Sequence, residues 1–288
     1  MNQSAHEPLG LARSFLFVPA TRPERYAKAL ACGADAIIVD LEDAVAPADK
    51  AAARQYFAAA WPGFSAAERA RILVRVNAHG TPWHTDDLAL VATVRPAGVL
   101  VPKAESAASL EPVAAACGPA CALMPMIESV AGLDAADALA AGARVIRLAF
   151  GNLDFQADVG MAAGPDELEL SAVRIALVLS SRRAGLAAPV DGVTVATQDS
   201  VQLERDAARG RRSGFGGKLC IHPSQVAAVN AAFSPSSAEI EWARRVVAAS
   251  EASGAGVITV DGRMVDAPVL RLAQRTLAHR SITSPRAK

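Results

Sequence analysis

Charged and polar side chains follow short apolar runs at five successive places in this 288-residue chain: Asp40-Leu-Glu42-Asp43, Arg75-Val-Asn77, Lys103-Ala-Glu105, Glu128-Ser129 and Asn152-Leu-Asp154. Loops are wet, so one such position says little. Five in succession gather acidic and basic groups on one rim, which suits a cation, an anionic substrate and proton transfer. Glu128 and Asp154 end neighbouring runs. Adjacent parallel strands lie about 4.8 Å apart, close enough for two carboxylates to share one hard cation. Such a pair favours Mg²⁺ over zinc, because magnesium keeps several waters and leaves positions for a keto or hydroxy acid. In the competing reading, Arg147 or Lys103 satisfies the same carboxylates.

In Ile72-Leu-Val-Arg75-Val, strand alternation puts Arg75 on the face of Leu73, opposite Val74 and Val76. A guanidinium there can grip a substrate carboxylate with two parallel hydrogen bonds. An internal ion pair with Asp40 or Glu42 is the alternative, and the two are compatible. Asp40, Glu42 and Asp43 could accept hydrogen bonds from the waters of a cation without ligating it. Lys103 would offset their charge. It is also placed for Schiff-base chemistry, although that would not need the paired Glu128 and Asp154.

The segments that must hold these residues are short β-branched runs alternating with amphipathic, alanine-rich stretches, the pattern of parallel βαβ units. Candidate strands are Ser14–Pro19, Ala36–Leu41, Ile72–Val76, Gly98–Pro102, Ala122–Ile127, Val145–Ala149, Pro189–Val193 and Gly217–Ile221. Eight units close a (β/α)₈ TIM barrel, whose active face lies at the C-terminal strand ends. Pro23 should open the first helix, with Asp49 capping the second and Asp86 the third. The barrel is expected over residues 1–233. Residues 234–288 read as a C-terminal helical extension: a helix from about Ser236 to Ser253, a strand-like Val257–Val260 and a helix from near Pro268. Barrel closure does not need this tail, which could act as a lid over a neighbouring subunit's site.

About half the residues are apolar and one-fifth charged, and 29 basic residues balance 29 acidic ones. This is a globular composition with no net field to attract nucleic acid or an anionic membrane, so neither is expected as a partner. No apolar run has membrane-spanning length and no signal-peptide pattern opens the sequence, so a cytoplasmic location is expected. Cys32, Cys117, Cys121 and Cys220 lack zinc-site spacing and read as reduced core thiols.

The chain resembles the citrate lyase β-subunit family, within the wider class of malyl-CoA and citramalyl-CoA lyases and metal-dependent pyruvate aldolases. The resemblance runs over roughly residues 13 to 277. It is carried by Leu16-Phe-Val-Pro19 with Arg22-Pro-Glu-Arg25, Asp40-Leu-Glu-Asp-Ala-Val45, Arg75-Val-Asn77, Val101-Pro-Lys-Ala-Glu105, Met126-Ile-Glu-Ser129, Phe150-Gly-Asn-Leu-Asp154 and Gly217-Lys-Leu-Cys-Ile-His-Pro-Ser-Gln225. It implies Mg²⁺ on Glu128 and Asp154, with Arg75 on the keto-acid portion of the substrate. It also implies a catalytic aspartate, matching Asp266 in Asp261-Gly-Arg-Met-Val-Asp266-Ala-Pro268, carried across a subunit boundary. Capping of the following helix is the alternative for Asp266.

Arg22 and Arg25 match a loop that approaches the phosphates of CoA, at a helix start that favours anions. The alternative is an exposed pair beside Glu24. His222 ends the eighth strand and could border a thioester or serve structure alone. The resemblance points to lysis of a 3-hydroxyacyl thioester of the malyl-CoA or citramalyl-CoA type into acetyl-CoA and an α-keto acid, by a homotrimer or a hexamer. Alternatives are a subunit cleaving citryl on an acyl-carrier protein, hydrolysis following cleavage, and a non-catalytic barrel in a larger assembly.

Overall fold

The computed structural model of the protein describes residues 7–254 and 256–283. Eight parallel strands close in sequence order into a TIM barrel: β1 (Ser14–Pro19), β2 (Ala36–Asp40), β3 (Ile72–Arg75), β4 (Gly98–Val101), β5 (Ala122–Ile127), β6 (Ala149–Phe150), β7 (Val190–Asp191) and β8 (Gly217–Cys220). The chain divides into two compact units, residues 1–231 and 232–288. No helix among the described residues is long and apolar enough to cross a membrane.

Alternate residues of the strands fill the barrel, among them Phe15, Ile38, Leu73, Leu100, Met124, Met126, Val190 and Leu219. Continuing that alternation puts Asp40 and Arg75, which are register partners, on the inner face at the rim. Glu128 extends the column of Met124 and Met126 in the same way.

β6 departs from the expected Val145–Ala149. Leu123 pairs with Val145 as an isolated bridge, yet Met126 pairs with Ala149, so β6 carries one more residue than β5 between these two pairs. The cause is Pro125. On this edge of β5 Leu123 donates to Arg144, but Pro125 has no N–H to continue the ladder. The resulting bulge inverts the alternation. Ile146 and Ala149 both face the barrel interior, and Gly151 follows on that face.

The N-terminal end is closed from below. Leu9 and Ala12, in and beside the helix Glu7–Leu11, join the barrel core. Arg147, 1% exposed, donates to carbonyls only: Ala188 (2.6 Å), Ala12 (2.6 Å), Leu9 (3.3 Å) and Pro189 (3.4 Å). Its guanidinium stacks on Phe15. It is therefore a clasp at the closed end and no partner for Glu128 or Asp154.

Two expected helix caps are absent. Asp49 precedes the helix Lys50–Ala60 without a capping bond, and Asp86 lies inside the helix His84–Val94, paired with Arg54. The four cysteines are free, Cys32 half-buried and the others buried. In the second unit, helix Ser237–Ser253 begins in a capping box of Ser236 and Glu239. It is followed by the hairpin β9 (Ile258–Val260) and β10 (Arg263–Val265) and by helix Ala267–Thr283. Both turn residues, Asp261 and Gly262, have positive φ, as a two-residue hairpin turn of this hand requires. Ala243, Val246, Val260, Val265 and Ala273 form its core.

Replacing Arg147 with Met keeps apolar bulk but strips buried carbonyls of their donor. Arg147→Met should cost about 3–5 kcal/mol, judged from what unsatisfied buried groups cost elsewhere. Urea unfolding measures this, and a loss below about 1 kcal/mol would show that the clasp is dispensable.

Candidate active site

The rim is organised around Asp40. Its Oδ1 and Oδ2 accept from Arg75 Nε (2.7 Å) and Nη2 (2.6 Å) in a two-pronged fork. They also accept from the amides of Glu42 (2.9 Å) and Ala44 (3.2 Å), winding the loop after β2 around the carboxylate. Arg75 Nη1 lies 3.0 Å from Glu42 Oε2 and 3.1 Å from Asp43 Oδ2, and the guanidinium lies over Phe17 at 4.7 Å. The ion-pair reading of Arg75 is thus realised. A ligand carboxylate would have to compete with Asp43, which is 57% exposed and so the easiest of the three to displace.

From behind, Lys50 Nζ donates to the carbonyls of Leu41 and Glu42 at 2.7 Å each. Asn77 Nδ2 adds a bond to Leu41 O (3.0 Å), and its amides are fixed by buried Asp87. Glu42 is thereby held at the mouth, where Lys103 Nζ reaches its Oε1 at 3.1 Å. Burial raises the Glu42 pKa, outweighing the attraction of Arg75.

Lys103 links this group to Glu128. Its backbone is in the left-handed region, φ 45°, and its amide donates to Glu128 Oε1 at 2.5 Å. Its side chain is held as an ion-paired ammonium: the pKa is raised by Glu42 with support from Glu128, although burial acts against this. That does not suit an imine-forming amine.

Glu128 is 3% exposed. Burial, then repulsion from Glu42 and from Asp154, pushes its pKa up to about 8, despite the Lys103 amide bond. Gly151 makes the space for it, since a Cβ there would lie 2.5 Å from both Glu128 Cβ and Oε2. Asp154 does not end a strand as expected. It lies half-buried in the first turn of the helix Asn152–Val159, close enough to Glu128 to repel it.

The group Asp40, Glu42, Asp43, Glu128 and Asp154 carries five carboxylates, against the three cations Lys50, Arg75 and Lys103. Were all five ionised, two negative charges would be left over, and the raised pKa of Glu128 reflects that crowding together with its burial. Among the described residues no cluster of three or more His, Cys, Asp or Glu is preassembled around a metal position. Two neighbouring carboxylates in a rim where acidic groups outnumber basic ones are nevertheless the kind of donor set that a largely hydrated Mg²⁺ takes.

The remaining expected site residues have local partners of their own. Arg22 and Arg25 are exposed after β1, with Arg22 Nε on Glu24 at 2.5 Å. His222 is exposed after β8, where its Nδ1 accepts from the Ser224 amide at 3.2 Å and caps the turn Pro223–Gln225. In the second unit, Asp266 Oδ1 accepts from Val269 N at 3.1 Å, so it caps the last helix. The sequence reading misses Gly151, whose only signal is its place after the bulged strand, and Lys50, which looks like an ordinary first-turn lysine.

The profile of the HpcH/HpaI aldolase/citrate lyase family matches residues 13–223. The chain belongs to this family. A profile of carbon–carbon bond lyases of the TIM-barrel fold matches residues 171–282, and the enzyme class is accordingly that of carbon–carbon lyases. The (3S)-malyl-CoA thioesterase of Cereibacter sphaeroides is 39% identical over 269 residues, covering 92% of this chain and 93% of that protein. The citrate lyase subunit beta-like protein of Deinococcus radiodurans is 36% identical over 282 residues, covering 94% and 98%. Among solved structures, CitE of Mycobacterium tuberculosis in complex with magnesium, acetoacetate and coenzyme A superposes with a TM-score of 0.83 at 34% identity, covering 94% of this chain and 99% of that one.

A carboxyl whose pKa rises on folding favours the folded state while it is protonated. For Glu128 this stabilisation is complete below about pH 4.5 and is lost as pH rises through about 8. In chelator-treated protein, wild type should therefore lose stability relative to Glu128→Gln across that window, by at most roughly 4–5 kcal/mol. Urea unfolding of both proteins between pH 5 and 8.5 measures the divergence. Parallel curves would mean that Glu128 is ionised at no cost.

Proposed function

We propose that this chain is a Mg²⁺-dependent carbon–carbon lyase that cleaves a 3-hydroxyacyl thioester of the malyl-CoA or citramalyl-CoA type to acetyl-CoA and an α-keto acid. The observation that carries the proposal is the pair Glu128 and Asp154, near enough for Asp154 to raise the Glu128 pKa, in a rim beside Arg75 where carboxylates outnumber basic side chains. The magnesium, keto acid and coenzyme A in the CitE complex support the same choice of ligands.

Glu128 and Asp154 would hold the cation, Glu42 and Asp43 would accept from its waters and Lys103 would offset their charge, whereas Asp40, already filled by four donors, would act by fixing Arg75 and the loop. A bound Mg²⁺ supplies Lewis-acid polarisation of the oxygen that becomes the ketone. Cleavage releases the hydroxyl proton to solvent, turns the carbinol carbon into the keto-acid carbonyl and passes the electrons of the broken bond to the thioester enolate. Arg75 orients the substrate carboxylate, exchanging Asp43 for it, and balances oxyanion charge. Asp266, supplied by a neighbouring copy in a homo-oligomer, gives the enolate carbon its proton and removes that proton in the condensing direction. Arg22 and Arg25 meet the CoA phosphates, and His222 borders the thioester.

A second reading is hydrolysis of the thioester to the hydroxy acid and free CoA, favoured by the name of the C. sphaeroides relative. Incubation of the purified chain with malyl-CoA and Mg²⁺ separates the two by product: keto acid with acetyl-CoA for lysis, hydroxy acid with free CoA for hydrolysis. Absence of turnover on any malyl or citramalyl thioester would reject both.

Glu128→Gln and Asp154→Asn should each leave the fold intact and lower Mg²⁺ affinity and turnover by at least about tenfold, since each removes a charged oxygen ligand. Calorimetric titration with Mg²⁺ measures the first effect and a keto-acid assay the second. Wild-type values for both variants would end the metal assignment. For Asp266 the expected outcome is complementation. Inactive Asp266→Asn and inactive Glu128→Gln subunits, mixed and reassembled, should regain activity, because some sites then contain a complete set of residues. Verified mixed oligomers that stay inactive would confine Asp266 to capping or to its own chain.

A further inference from the structure

The segment between the Asp154 helix and the helix Ser171–Arg183 is fastened mainly by charge, and its hub is Glu167. This residue adopts the left-handed region, φ 46°, which a residue with a side chain occupies only when its surroundings enforce it. Arg174 Nη2 and Arg209 Nη2 both donate to Glu167 Oε2, the latter at 2.7 Å. Arg174 is 1% exposed and its Nε is fixed on Asp191 Oδ1 at 3.0 Å, so this grip is anchored in the barrel wall.

The other oxygen of Glu167 has a different task. Oε1 accepts from Asn152 Nδ2 at 3.3 Å. Asn152 opens the helix that carries Asp154, and its amide is paired with both backbone groups of one residue in the β7 loop: Oδ1 accepts from Val193 N (2.9 Å) and Nδ2 donates to Val193 O (3.1 Å). Gly192 admits that amide, since a Cβ there would lie 2.1 Å from Asn152 Oδ1. The position of Asn152 thus depends on β7 and on Glu167 together, and Asp154 lies two residues further along the same helical turn.

We propose that Glu167 is a positioning residue for the cation site: its two-arginine grip fixes Asn152 and, through it, the turn that holds Asp154 beside Glu128. This rests on reading Asp154 as a cation ligand. If the network served only to fasten the loop, removing Glu167 would change stability and leave cation binding alone.

Mn²⁺ in place of Mg²⁺ provides a readout independent of turnover, through its affinity and the line shape of its bound paramagnetic resonance spectrum. Glu167→Gly removes the hub, and relief of the left-handed strain offsets only part of the two lost arginine contacts, so the unfolding midpoint should fall while the protein stays folded under binding conditions. Mn²⁺ affinity should fall roughly 10- to 100-fold, the range seen when groups that orient metal ligands are lost, and the bound spectrum should change. Asn152→Ala should do the same. Should Glu167→Gly fail to fold, Glu167→Gln keeps the side-chain shape while weakening the grip, and the same shifts are expected in smaller measure.

Asp154→Asn is the control. If it weakens Mn²⁺ binding while the folded Glu167 and Asn152 variants keep wild-type affinity and line shape, the positioning role is overturned and the metal assignment stands. If Asp154→Asn itself leaves Mn²⁺ binding unchanged, the ligand reading fails and the positioning role fails with it.

Discussion

The rim depends on the buried fork between Asp40 and Arg75. A buried ion pair seldom stabilises a protein more than well-packed apolar residues would, because both charges must leave water. This pair instead fixes geometry. Asp40 takes four donors, two from Arg75 and two from the loop amides of Glu42 and Ala44, so the loop has no alternative winding that keeps the carboxylate satisfied. Glu42 is placed by that winding, Lys103 by Glu42, and Glu128 by the Lys103 amide. One fork on β2 and β3 thus sets the positions of groups as far as β5.

Beyond β5 the controlling factor is steric. The missing N–H of Pro125 lets the sixth strand slip by one residue, and the slip turns Gly151 inward where a regular strand would present Phe150. Phe150 goes outward and lies against Arg174. The space needed by the Glu128 carboxylate therefore exists because a proline in its own strand disturbs the neighbouring one. Gly192 repeats the device one strand later by admitting Asn152.

What the sequence made legible follows the range of the forces involved. The strands β1 to β5 and β8, the inward face of Arg75 and the gathering of Asp40, Glu42, Glu128 and Lys103 on one rim all follow from local alternation and strand order. The bulge in β6 does not, because its cause lies in β5. Asp154 looks like a strand-end residue until the shortened β6 places it in a helix. Arg147 reads as a partner for the carboxylates since composition cannot say at which end of a barrel a charge lies. Asp49 and Asp86 have good capping chemistry, but Asp86 is drawn to Arg54 and the helix containing it begins two residues earlier, at His84. The role of Glu167 depends on arginines in two later helices, which no local pattern connects.

The two ends of the barrel resolve buried charge in opposite ways. At the closed end Arg147 is paired with no carboxylate, and burial lowers its hold on the proton against the more distant attraction of Asp35; the charge is dispersed over backbone carbonyls that would otherwise lack donors. That arrangement is complete, because every partner belongs to the chain. At the open end the carboxylates outnumber their cations, and the conflict concentrates on Glu128, the most enclosed of those without an arginine or lysine side-chain partner. Protonating Glu128 relieves the conflict but removes a ligand, whereas a divalent cation relieves it and uses the ligand. A cation bound to the folded rim has no equivalent site in the unfolded chain, so its binding energy adds to the stability of the fold. Surplus carboxylate, rather than a preassembled cage of ligands, is thus the feature of the open end that would favour a hydrated divalent ion over a proton on Glu128.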